Sequence, residues 1–244
     1  MTDRVDLWVN YKKVLDDVFP EFKFDSRWCE WKGKDDLHLT ADIFTAPHFI
    51  KSRRVDIFNE KSDIYNNVIY PEQEGILSSW KVLPCFGMDL MGFFDEKVII
   101  VFDFQHPTEK FRLSFDELPK AERDYRFFEM GNHFSENIFV RYCTFDEVDK
   151  YLPEFRQYLE FYRDIIEEAQ PIGPTDTECY QDFDTYMKKL DPILGYMSNR
   201  FGKDNADRMM NEFFFPYADE NNGRGHGTSS LDDASHDTRI GCND

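Results

Sequence analysis

Apolar positions change period along the chain, and the changes mark out its elements. Over residues 4–18, Val5, Trp8, Val9, Val14, Leu15 and Val18 recur at helical spacing until Pro20, which predicts an amphipathic helix. Strand-like runs follow at 28–32 (closed by Gly33), 37–45 and 49–58, then a short apolar segment at 63–71 that carries Asn66 and Asn67. Two denser runs, Cys85–Phe93 and 98–104, are joined by Phe94-Asp-Glu-Lys97 and bounded by Pro84 and Pro107, which is a β-hairpin pattern. Shorter strands are expected at 111–115 and 138–142. Helical spacing then returns: Val148, Leu152, Phe155, Leu159, Tyr162 and Ile165 predict a long helix over 146–168, ended by Pro171. Further helices are expected over 180–190, from Asp191-Pro192 to Phe201, and over 203–215. Sequential strands with short links point to an antiparallel sheet, so the expected fold is α/β with helices on both sides. Residues 1–217 are expected to form one domain, and the Gly-, Asn-, Ser- and Asp-rich residues 218–244 a disordered tail.

The hairpin carries the most pointed chemistry. Side chains alternate along a strand, so Cys85, Gly87, Asp89 and Met91 share one face, and Phe86, Met88 and Leu90 share the other. Asp89 is a lone carboxylate on its face. Either that face is solvated and Asp89 is a surface charge, or Gly87 leaves room for a flat ligand and Asp89 points at it with a raised pKa, ready to give up a proton. Asp191, directly before Pro192, has the form of an N-cap followed by proline at the first helical position. Arg141 closes an apolar run where an anion is a natural partner.

Composition narrows the classes. With 25 Phe, 12 Tyr and 4 Trp among 244 residues, the interior should be aromatic. A net charge of −19 argues against nucleic acid and anionic membrane surfaces as partners. No run approaches the roughly 20 apolar residues of a membrane span, and the first residues do not read as a signal peptide. Cys29, Cys85, Cys143, Cys179 and Cys242 are scattered, as free thiols in a reducing cytosol would be, and a protein-bound metal is not expected. His38 and His48 read as packed or surface residues.

Longer strings carry a resemblance. Leu83-Pro-Cys-Phe-Gly-Met-Asp-Leu-Met resembles the signature of the ferredoxin-dependent bilin reductases. Val98-Ile-Ile-Val-Phe-Asp-Phe-Gln-His-Pro, Phe127-Phe-Glu-Met-Gly-Asn-His-Phe-Ser and Asp182-Phe-Asp-Thr-Tyr-Met with the later Leu-Asp-Pro and Gly-Tyr-Met are similar to its phage-type, phycoerythrobilin-forming branch. The likeness runs from about Trp8 to Phe215. It implies a three-layer α/β/α sandwich with a central antiparallel β-sheet, the bilin lying between sheet and C-terminal helices. It implies reduction of biliverdin IXα by reduced [2Fe–2S] ferredoxin, one electron at a time through bilin radicals, with no metal or flavin in the enzyme.

On that resemblance Asp89 and Asp191 match two aspartate proton donors. Gly87 and Met88 belong to the bilin floor, Asn66 hydrogen-bonds the bilin, and Arg141 pairs with a propionate. The phycocyanobilin-forming branch has a catalytic histidine where this chain has Asn66. The implied product is therefore phycoerythrobilin, made in four electrons through 15,16-dihydrobiliverdin. A two-electron reductase and a non-catalytic bilin carrier remain as alternatives. A family lysine position is Pro192 here. Ferredoxins are acidic, so docking needs a local positive patch, for which Arg53, Arg54, Lys188 and Lys189, with Lys51, Arg200 and Lys203, are the candidates. A monomer in the cytoplasm of a cyanobacterial or phage-infected cell is expected.

Overall fold

The computed structural model describes residues 6–77, 82–94, 97–108, 113–122, 133–172, 177–190 and 193–219. Period-2 segments become strands β1 (Lys23–Lys32), β2 (His38–Ala46), β3 (Phe49–Phe58), β4 (Ser62–Pro71), β5 (Cys85–Phe93), β6 (Lys97–Gln105) and β7 (Phe139–Cys143). They lie in one sheet in sequence order, each antiparallel to its neighbour. The hairpin is the one expected, with Phe93 opposite Lys97 and Cys85 opposite Gln105. The segment at 63–71 is a full strand, because its alternation continues the pairing of β3 with β5.

Helices α1 (Val9–Val18) and α2 (Leu152–Ala169) cover one face. Tyr11, Val14, Leu15 and Val18 form the buried stripe of α1, and the Trp8 indole ties its start to the sheet by donating to the Asp63 carbonyl at 2.9 Å. Ahead of α2, the Glu147 carboxylate accepts from the Thr144 amide and hydroxyl at 3.3 and 3.1 Å, which organises the first turn. Gln170 ends α2 in the left-handed region at φ 44°. Helices α3 (Gln181–Leu190), α4 (Ile193–Phe201) and α5 (Lys203–Arg208) stand on the other face. This is the expected α/β/α sandwich.

The expected single helix over 203–215 is instead α5 followed by a π turn, Met209–Phe214. The wider turn lets Phe213, Phe214 and Phe215 all be buried, each at 2% exposure or less, which a regular α-helix would not allow for three consecutive rings. Residues 113–115 of the strand expected at 111–115 form no strand, and the rest of that segment and the tail beyond 219 fall outside the described residues. Cys29, Cys85, Cys143 and Cys179 are free thiols. Among the described residues no helix is long and apolar enough to cross a membrane.

A candidate ligand cavity between the sheet and the C-terminal helices

Strand register arranges one face of the sheet into three cross-strand rows. The first is Arg53, Val68, Gly87 and Asp103; the second is Val55, Asn66, Asp89, Val101 and Val140; the third is Ile57, Ile64, Met91, Ile99 and Tyr142. All of them line a cavity of about 470 Å³, roofed by Phe183 and Met187 of α3, Ile193 and Tyr196 of α4, and Phe214 and Phe215. That volume suits a drug-sized organic molecule, for which about 300–1,000 Å³ is usual.

The rows form a gradient. Arg53, Asp103 and Gln105 make a closed polar end, each under 10% exposed. Asn66 and Asp89 face each other across β4 and β5 in the middle, both half-buried. The third row is apolar and ends at the exposed Tyr142. Asp89 is therefore neither a solvated surface charge nor part of the packed core.

Hydrogen bonding fixes several of these groups. Arg53 Nη1 donates to Asn66 Oδ1 at 2.8 Å. Since a guanidinium only donates, the Asn66 atom it meets is the oxygen, and the amide has only its NH₂ to offer a ligand as donor. Asp103 accepts from the Ser135 amide at 2.9 Å and from the Ser135 hydroxyl. Gly87 is narrow for a reason the sequence did not show: a Cβ there would lie 2.6 Å from Gln105 Oε1, so the Gln105 amide occupies the space expected for a ligand. That Gln105 oxygen is buried without a hydrogen-bond partner.

Behind the closed end sits a second polar group. Asp184, fully buried on α3, accepts from the Tyr217 amide at 2.9 Å and the Tyr70 hydroxyl at 3.4 Å. Burial pushes its carboxyl up to about 6, outweighing the opposing pull of the Tyr217 amide and of Arg53 and Lys51. Burial likewise brings Lys51 down to about 8; its ammonium lies over the rings of Tyr70 and Tyr217 at 5.1 and 4.7 Å.

Several expected site residues are elsewhere. Met88 borders the cavity, but its side chain packs with Phe86 and Leu90 in the core beneath the sheet. Arg141 is on that same core-side face, opposite Ile100, over the Phe139 ring at 4.4 Å and paired with Glu122 at 2.9 Å. It does not reach the cavity, so its expected pairing with a ligand carboxylate is corrected.

Arg53 and Arg54 are not docking residues either. Arg53 is in the cavity wall at 4% exposure, and Arg54, at 8%, is paired with Asp16 at 2.8 Å and stacked 3.8 Å from the Phe44 ring. Arg200 and Lys203 are engaged by Asp35 and Asp207. Lys188 is half-buried and Lys189 exposed, on the helix whose Phe183 and Met187 roof the cavity. Asp191 lies outside the described residues. Asp103 and Gln105 were missed, although alternation from Val101 puts both on the Asp89 face. Asp6, Asp56 and Asp63, close enough to hold a cation, are served by Lys12, which bonds Asp6 at 2.8 Å and also Asp56.

An antiparallel α/β/α sandwich enclosing a mostly apolar cavity with a carboxylate at its middle has the form of a binding site for a small organic molecule. Residues 22–216 match the family described as ferredoxin-dependent bilin reductase, and the chain belongs to that family. Similar proteins include the 15,16-dihydrobiliverdin:ferredoxin oxidoreductases of Gloeobacter violaceus and Parasynechococcus marenigrum. The first is 24% identical over 204 residues, 75% of this chain and 81% of the relative. The second is 30% identical over 195 residues, 71% and 80% respectively. Among solved structures, tomato phytochromobilin synthase in complex with biliverdin shares the fold with a TM-score of 0.57 at 16% identity, over 84% of this chain and 82% of that one.

Proposed function

We propose that this chain reduces biliverdin IXα to phycoerythrobilin with four electrons from reduced ferredoxin and four protons, passing through 15,16-dihydrobiliverdin after the first two of each. The observation that carries the reading is Asp89, held at the middle of an apolar cavity in a chain that matches the bilin reductase family from 22 to 216. An added electron makes a conjugated tetrapyrrole a much stronger base, so an acid beside it decides where and when the proton arrives. Asp89 supplies that proton through its carboxyl O–H and is reprotonated from solvent between steps.

Asn66, opposite Asp89, directs its amide N–H groups at the bilin because Arg53 occupies its oxygen. An amide does not exchange protons as an imidazole does, and this favours phycoerythrobilin over phycocyanobilin. Asp191 is proposed as a second donor; Met187 and Ile193, close to it in sequence, line the cavity. Ferredoxin docking is assigned to the α3 rim carrying Lys188 and Lys189.

The names of the relatives favour a second reading, a two-electron enzyme for which 15,16-dihydrobiliverdin is substrate or product. Anaerobic turnover with biliverdin, ferredoxin and a reducing system, with products separated by chromatography, tests both. Phycoerythrobilin supports the four-electron reading, and dihydrobiliverdin as sole product selects the two-electron one. An unchanged biliverdin spectrum would rule out the four-electron reading and dihydrobiliverdin as product, and the same assay started from 15,16-dihydrobiliverdin then decides whether that compound is the substrate.

A further inference from the structure

At the closed end of the cavity stands a cation that forms no ion pair with any carboxylate among the described residues. Each of the other described arginines (27, 54, 141, 156, 163, 200 and 208) has a carboxylate partner. Arg53, among the most buried of them, has none among the described residues. Its neighbours are the neutral Asn66 amide, the Tyr70 hydroxyl and the face of Phe214, 4.9 Å from the guanidinium carbon, while its Nε–H is buried with no acceptor. Asp184 attracts it from behind the wall without forming an ion pair.

Lys51 nearby relieves the same burial by holding its proton more weakly, but a guanidinium has no such escape. A permanent charge in that position is costly unless an anion arrives to meet it. The planar fork of arginine suits a carboxylate, which takes two parallel hydrogen bonds from Nε and the adjacent Nη. Arg141, the more obvious arginine in sequence, is already paired on the opposite face of the sheet.

We propose that Arg53 is the carboxylate-binding residue of this cavity. On the bilin reading, on which this rests, it grips one propionate of the tetrapyrrole and so fixes which part of the chromophore lies over Asp89, one row away on the sheet. The same guanidinium keeps the Asn66 amide turned toward the ligand.

Absorbance titrations of wild-type protein, Arg53→Gln and Arg53→Lys with biliverdin and with its dimethyl ester test the assignment. The wild type should bind the diacid roughly tenfold or more tightly than the ester. Arg53→Gln should lose roughly tenfold or more on the diacid and clearly less on the ester, which loses only the effect of releasing the Asn66 amide. Arg53→Lys, which keeps the charge but not the fork, should lose a smaller factor, on the diacid alone. Far-UV circular dichroism checks the fold of each variant, and the wild-type comparison of diacid with ester stands even if Arg53→Gln fails to fold. Equal wild-type affinity for both forms, or equal weakening of both by either folded variant, would overturn the role of Arg53. Failure of the wild type to bind either form would instead overturn the bilin reading, and this assignment with it.

Discussion

The two faces of one sheet are made from alternate residues of the same strands, yet one is a closed core and the other a working surface. On the α1/α2 side, Phe86, Leu90, Ile100, Phe102 and Phe104 are wholly buried. Their rings lock to one another: Phe102 stacks on Phe139 at 4.3 Å and meets Tyr158 edge-on at 4.9 Å. On the α3–α5 side, one residue away in each case, stand Gly87, Asp89, Val101, Asp103 and Gln105, and the helices arch over them instead of packing down. The comparison separates stability from chemistry: the first face holds the fold together, and the second tolerates polar groups whose burial only a ligand would justify.

Mutations should therefore divide by face. The largest effect is expected from Asp89→Asn, which keeps shape and bilin binding but removes the acid. Ferredoxin-driven reduction should fall about 10²–10⁴-fold with little change in melting temperature, and an unchanged rate would remove Asp89 from the reaction. Phe102→Ala, on the other face, should cost about 3–5 kcal/mol of stability by leaving a hole among Phe139, Phe155 and Tyr158. Denaturant unfolding would measure it, and a loss below about 1 kcal/mol would break the division.

A smaller effect, on pH dependence, is expected behind the cavity. The Asp184 carboxyl titrates near 6 in the folded chain against an ordinary value of 3.8, so the folded state binds the extra proton. Stability from this group is full below about pH 4 and declines as pH rises through 6, opposite to an ion-paired aspartate. Lys51, Arg53, Tyr70, Tyr217 and Cys85 surround it; burial brings Lys51 down only to about 8 and pushes Tyr70, Tyr217 and Cys85 up, away from this range. Asp184→Asn should flatten the loss between pH 4 and 7, and melting curves across that range would show it. An identical slope in both proteins would mean the carboxyl titrates normally.

Gly87→Ala should change stability by less than about 1 kcal/mol, because the new methyl meets only the flexible end of Gln105. It should nonetheless weaken bilin binding, since the displaced amide has to enter the cavity; unchanged affinity would free the floor from that constraint. The smallest effect is expected from reversing Lys188 and Lys189 to Glu. This should slow ferredoxin-driven turnover at low salt while leaving biliverdin affinity alone, and equal loss of both would count against docking there.

Much of this was legible in the chain because alternation is local. Residues Cys85 to Gln105 announced a hairpin, its two faces, and the company of Gly87 with Asp89. Asp103 and Gln105 follow from the same alternation once β6 is placed opposite β5. The roles of the arginines were not legible. Arg53 and Arg54 are adjacent in sequence and point to opposite faces, so a cluster of positive letters became one cavity residue and one buried guanidinium paired with the exposed Asp16. Arg141 misled because an arginine at the end of an apolar run looks the same whichever face it takes.

By itself, then, the sequence determined the strands, the antiparallel order implied by their short links, the amphipathic helices and the carboxylate on the β5 face. These depend on neighbours a few residues away, where side-chain period and backbone geometry act directly. Tertiary structure alone decided which face was left open, that Gln105 fills the space over Gly87, and that Arg53 is buried with no ion pair among the described residues while Arg141 turns away. Those outcomes depend on register between distant strands and on how the last helices cover the sheet, and both are set by packing across the whole chain.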